Sequence, residues 1–187
     1  MTTAKNDYSQ LLARYMPYRR YFEVGFWVIN YLLFAVVNSM ISILDIERAQ
    51  LQFENWKPIV WELSSVLVGL CLVPAIIAFE RRFPLYIGVL RKHLPMHFLG
   101  SIVYSVVHVT AMVWIRKWVY ISQNLTYDFG NWPVEMAYEY LKDWQTYAGV
   151  LFVLALYRLL LLRLQGEARL LDAPDDGPEL EPVERPE

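Results

Sequence analysis

The chain has one cysteine, Cys71, in 187 residues, and charged side chains make up only 19% of it. A single thiol excludes a disulfide-stapled secreted module and any paired-cysteine metal motif. Soluble domains carry about 25% charged residues, so the shortage of charge argues against one. Catalytic signatures are missing as well. There is no glycine-rich phosphate loop, no His-Glu-x-x-His helix and no Gly-x-Ser-x-Gly elbow. No catalytic constellation stands out, and an enzyme is not expected.

What is present is apolar. Hydrophobic residues reach 56% and aromatic ones 16%, with a mean hydropathy of +0.26. That excludes a disordered chain and leans toward the membrane. The net charge of −2 hides an asymmetry. Residues 1–164 hold 15 Lys/Arg against 11 Asp/Glu, whereas residues 165–187 hold 8 acids against Arg169 and Arg185. An acidic tail does not bind nucleic acid by counterion release, so no direct nucleic acid contact is expected.

A spanning helix needs about 20 mostly apolar residues. Val24 to Leu44 is uncharged throughout, and Leu63 to Phe79 gives a second run that extends toward Ile59. Leu94 to Ile115 carries only His97 and His108, and Trp144 to Leu162 contains Arg158. The fold class expected is therefore all-α. A four-helix transmembrane bundle occupies residues 21–165, with spans at about 22–44, 59–79, 94–117 and 144–164. Lys and Arg in the flanks number 10 on the side of both termini against 5 on the other, which places both termini in the cytoplasm (N-in/C-in).

Outside the spans, residues 1–20 read as a cytoplasmic amphipathic segment, Tyr8 to Met16 broken at Pro17, that anchors on the lipid bilayer. Pro133-Val134-Glu135 starts a short outer amphipathic helix. Its apolar face is Met136, Ala137, Tyr140, Leu141, Trp144 and Ala148, with Glu139, Lys142 and Asp143 around the other face. From within the fourth span onward, Tyr157, Leu161, Leu164, Ala168 and Leu171 repeat at spacings of four and three, and the part beyond the membrane, Leu164, Ala168 and Leu171, is a short seam pointing to a homodimer. Residues 166–187 then form the end of that helix and an acidic, proline-rich, disordered linker.

Candidate sites are polar groups at membrane depth. Glu62 lies with Ser64 and Ser65 at one end of the second span, where a cross-helix pair with Arg116 would lower the cost of both charges. Ser101, Ser105 and His108 share one face of the third span, as a hydrogen-bonding stripe or a pocket lining. The signal- or ligand-sensing candidates are thus Glu62, Ser105, His108, Arg116, Glu139, Lys142 and Asp143. His97 and His108 are three helical turns apart, about 16 Å at 1.5 Å per residue. Two stacked haems would suit that spacing, but the other spans offer no opposing histidine, so only a dimer or a methionine would complete a site. No cofactor and no metal is expected.

Trp61-Glu62-x-Ser64-Ser65, Pro74, Arg81-Arg82-Phe83-Pro84-Leu85, His97, Ser105-x-x-His108, Arg116-Lys117 and Tyr138-Glu139-x-x-Lys142-Asp143 follow in order. Together they resemble the four-helix membrane region in front of some bacterial LytTR-type transcriptional regulators. The resemblance covers about residues 20–165. It implies a multi-pass protein of the bacterial cytoplasmic (inner) membrane. In that family a DNA-binding domain follows the linker, and no such segment is present up to Glu187. The expectation is a sensor or anchor module that regulates or tethers a LytTR-like output domain, as a separate partner or a missing C-terminal domain. The alternatives are a small membrane redox or transport protein, or an accessory subunit of a membrane complex.

Overall fold

A computed structural model describes residues 14–86 and 88–172, with side chains through residue 166. Four helices follow a short 3-10 turn at Met16–Tyr18. They are α1 (Arg19–Arg48), α2 (Trp56–Arg82), α3 (Leu90–Ser122) and α4 (Trp132–Asp172), and no strand occurs among the described residues. All four contain stretches long and apolar enough to cross a membrane, as expected for a multi-pass membrane protein. The N-terminal amphipathic segment before residue 14 and the acidic tail after residue 172 lie outside the described residues.

The described chain forms two units, residues 20–156 and the flanking pieces up to Arg19 and from Tyr157 on. In the flanking unit the Tyr15 and Tyr157 hydroxyls meet at 2.7 Å. The Arg19 guanidinium lies 5.7 Å from the centre of the Tyr157 ring.

The unit spanning 20–156 is polar within and apolar without. Ser64, His97, Ser101, Ser105, His108, Arg116, Glu139 and Asp143 are buried, while leucine, phenylalanine and tryptophan side chains crowd the exterior. Lipid supplies no hydrophobic drive for helices to associate, so hydrogen bonds and close packing must do it. Apolar packing is confined to two small clusters. One joins Val68, Val109, Met112, Val113 and Phe129; the other joins Ile76, Tyr104, Tyr147 and Val150. Close backbone packing runs between α2 and α3. A turn places Phe129 in the first cluster: Gly130 takes φ +83°, and its N–H donates to Asp128 Oδ1 at 2.9 Å.

Two expectations are corrected in α4. No separate outer helix precedes a fourth span, because the helix runs unbroken from Trp132 to Asp172. Nothing between Val134 and Ala148 would break it, since neither glycine nor proline occurs there. Its inward face also differs from the apolar one expected, although Met136 and Tyr140 belong to both. Glu139, Asp143, Tyr147 and Val150 are buried, while Leu141 and Trp144 face outward. The inward face follows the 3.6-residue period but is set by polar partners on α3, such as Ser105 for Asp143.

Side-chain pairings fix the heights. On α3 and α4, His97 meets Tyr147, Ser105 meets Asp143, and Met136 packs against the cluster holding Met112 and Val113. Asp143 therefore stands level with His108. That histidine lies about 27 Å from the start of α3 and about 21 Å from its end, at 1.5 Å per residue.

Candidate functional site: a polar cleft among the helices

His108 organises the centre. Its Nε2 lies 3.0 Å from the Ser65 carbonyl, an oxygen that only accepts, so Nε2 carries a proton. Its Nδ1 lies 2.7 Å from Asp143 Oδ1, though the ring N–H direction points off that line. The two side chains are thus in close contact across that gap. Ser105 Oγ–H donates to the other carboxylate oxygen, Oδ2, at 2.6 Å. The Tyr104 ring stacks on the imidazole at 5.7 Å between centroids and 7° between planes. Three helices are joined this way, and both partners of the pair are almost wholly buried.

Beside this pair is a cleft of about 620 Å³. Trp27, Asn30 and Tyr31 of α1 line one wall; Glu62, Ser65 and Gly69 of α2 and Tyr104 and His108 of α3 form the floor; Glu139, Lys142, Asp143 and Thr146 of α4 form the other wall. Gly69 sits under Tyr31, where an added Cβ would lie 2.9 Å from Tyr31 Cε1. The glycine lets that ring settle on α2. The Tyr31 hydroxyl is buried without a hydrogen bond, although the Tyr104 hydroxyl approaches it. Lys142 Nζ lies 3.0 Å from Glu139 Oε2.

Six of the seven expected residues come together here: Glu62, His108, Glu139, Lys142 and Asp143 line the cleft and Ser105 braces it. Arg116 does not join them, and the expected pair with Glu62 is absent. Its Nε donates to Ser64 Oγ at 2.9 Å, one terminal nitrogen to the Tyr127 hydroxyl at 2.9 Å and the other to the Trp61 carbonyl at 2.8 Å. The reason is helical phase. Trp61 and Ser64 share the face of α2 that meets α3, whereas Glu62 lies on the face it shares with Ser65, Val66 and Gly69. Arg116 is a clamp among neutral oxygens at the end of the bundle.

His97 is also a structural bond-maker. Its Nε2–H donates to the Phe83 carbonyl at 2.8 Å, and Nδ1 accepts from the Tyr147 hydroxyl at 3.0 Å. Among the described residues no group of three His, Cys, Asp or Glu side chains is placed to hold a metal ion. Sequence reasoning missed the α1 wall. A signal was available: Asn30 and Asn38 are eight residues apart, on one side of the uncharged run Val24 to Leu44. No family model, curated protein or solved structure matches the chain.

Proposed function

We propose that the chain is a membrane sensor module whose cleft takes a small ligand and whose helix packing reports it. The observation that supports this is the cleft itself, lined by charged and hydrogen-bonding groups level with the middle of α3, between α1 and α4. Polar groups at such depth are costly and mark functional sites. A ligand that favours one spacing of α1 and α4 over another shifts the population by its differential affinity. In this reading both termini lie in the cytoplasm of a bacterial inner membrane, the chain pairs as a homodimer, and it regulates or tethers a LytTR-like output domain. The chain itself binds and signals and carries out no catalysis.

The test is a reporter assay with a LytTR-type DNA-binding domain joined after Glu187. Asp143→Asn and Gly149→Leu are expected to shift reporter output several-fold. Gly149 lines the cleft, and a Cβ there meets nothing within 4 Å, so leucine fills the space. The outward-facing Val103→Ala should leave output unchanged. If every cleft variant behaves like Val103→Ala, the sensor reading fails.

The buried contact of His108 with Asp143, two titratable side chains 2.7 Å apart, favours a second reading, proton-coupled transport. Proton uptake by liposomes that hold the protein, abolished by Asp143→Asn, would select it over the sensor.

A further inference from the structure

The charges around the cleft pair off with one left over. Glu139 is matched by Lys142 at 3.0 Å. Asp143 is partnered by His108 Nδ1 at 2.7 Å and by the Ser105 hydroxyl at 2.6 Å. Glu62 also lines the cleft and has neither an ion pair nor a hydrogen bond among the described residues. The cleft therefore holds one carboxylate without a partner among the described residues, since Lys142 is turned to Glu139 and Arg116 to Ser64, Tyr127 and the Trp61 carbonyl.

The α1 wall is aromatic. Phe26, Trp27, Tyr31 and Phe34 all line the cleft, with Tyr104 below them. The Phe26 and Trp27 rings meet edge to face at 5.2 Å, and Trp27 and Tyr31 lie 6.4 Å apart. Ring faces attract cations, tryptophan most strongly. The buried Tyr31 hydroxyl is approached by the Tyr104 hydroxyl and by no partner within hydrogen-bond distance. The Glu62 carboxylate is partly exposed on the cleft lining, so a cation entering the cleft can reach it.

We propose that the cleft binds a monovalent organic cation with an apolar body, such as a substituted ammonium, with Glu62 as its counter-ion and Trp27 and Tyr31 as its aromatic cradle. This rests on the reading of the cleft as a ligand site and names its ligand class. An anion is disfavoured by the unpartnered carboxylate. A metal ion is disfavoured because Glu62, Glu139 and Asp143 do not converge as a ligand set.

Tetraphenylphosphonium and the smaller benzyltrimethylammonium are the cationic probes, and tetraphenylborate is the anion of matching shape. Equilibrium dialysis against the full chain in lipid nanodiscs, with empty nanodiscs subtracted, reads binding. At least one of the cations should bind saturably, and tetraphenylborate should neither bind saturably nor compete. Glu62→Gln should weaken that binding at least tenfold, about 1.4 kcal/mol, and Trp27→Ala should weaken it too. Glu62→Gln should leave the melting temperature unchanged, because Glu62 supports no other residue. Equal binding of the anion, unchanged binding by Glu62→Gln, or no saturable binding of either cation overturns the proposal. If the cations fail while Asp143→Asn still moves reporter output, the ligand class is wrong and the sensor reading stands.

Discussion

Replacing Asp143 by alanine removes two contacts at once and leaves their partners buried. Oδ2 accepts from Ser105 Oγ–H at 2.6 Å, and Oδ1 faces His108 Nδ1 at 2.7 Å. Hydrogen bonds to a charged group contribute about 1.5–3 kcal/mol each, and breaking a buried pair costs about 3–5 kcal/mol. Polar contacts between membrane helices average only about 0.6 kcal/mol, because the unfolded helices find other partners in the bilayer. One carboxylate here satisfies two donors on α3 in a buried site, so the expected loss lies near the lower end of the buried-pair range, about 3 kcal/mol. Asparagine should behave differently. Its carbonyl still accepts from Ser105, and its NH₂ donates to Nδ1 while Nε2–H stays on the Ser65 carbonyl. Every partner is satisfied without a charge, and the cost should be about 1 kcal/mol or less. Reversible unfolding in mixed micelles, followed by tryptophan fluorescence, measures both variants. A double-mutant cycle of Asp143→Ala with His108→Ala should show coupling of about 1.5–3 kcal/mol. Alanine no worse than asparagine, or a cycle additive within about 0.5 kcal/mol, would refute the reasoning.

Arg116→Ala should destabilise by about 2–4 kcal/mol in the same assay, because three acceptors lose charged donors. Arg116→Lys should recover less than half, since one ammonium cannot reach acceptors spread around a planar fork. Gly100→Ala should cost about 1–3 kcal/mol, because its Cβ would lie 2.9 Å from Phe79 Cε1 and 3.0 Å from the Tyr147 hydroxyl that holds His97. Gly149→Ala meets nothing and should stabilise α4 by up to about 1 kcal/mol through helix propensity, read as a higher melting temperature. Cys71 is exposed on the outer surface of α2. In liposomes a membrane-impermeant maleimide should label it only after detergent is added, and prompt labelling of intact liposomes would count against a transmembrane α2.

The helices themselves were legible because lipid crossing imposes a length and a composition on each segment, and both can be counted. The polar stripe of α3 was legible for a related reason. Ser101, Ser105 and His108 recur at helical spacing in an otherwise apolar run, and all three are buried. The acidic and basic residues of α4 could be named from the sequence, but their setting could not. Glu139, Lys142 and Asp143 resemble the wet face of an interfacial helix, and only their contact with α3 shows that they turn inward. The α1 wall was overlooked because aromatic residues are ordinary in a membrane helix and two asparagines carry no charge.

The sequence by itself determined the number of helices long and apolar enough to cross a membrane, the helical class and the polar side chains available to a site, since each follows from local composition and period. Tertiary structure decided which of those side chains meet. Helix phase separated Glu62 from Arg116 although Trp61 and Ser64 on either side of Glu62 both reach that arginine. The antiparallel packing of α3 and α4 brought Asp143 level with His108, 35 positions apart in the sequence. Neither outcome is written in any local stretch, because it depends on the rotation and height of one helix against another. Those two quantities are set by the sum of all contacts between the helices.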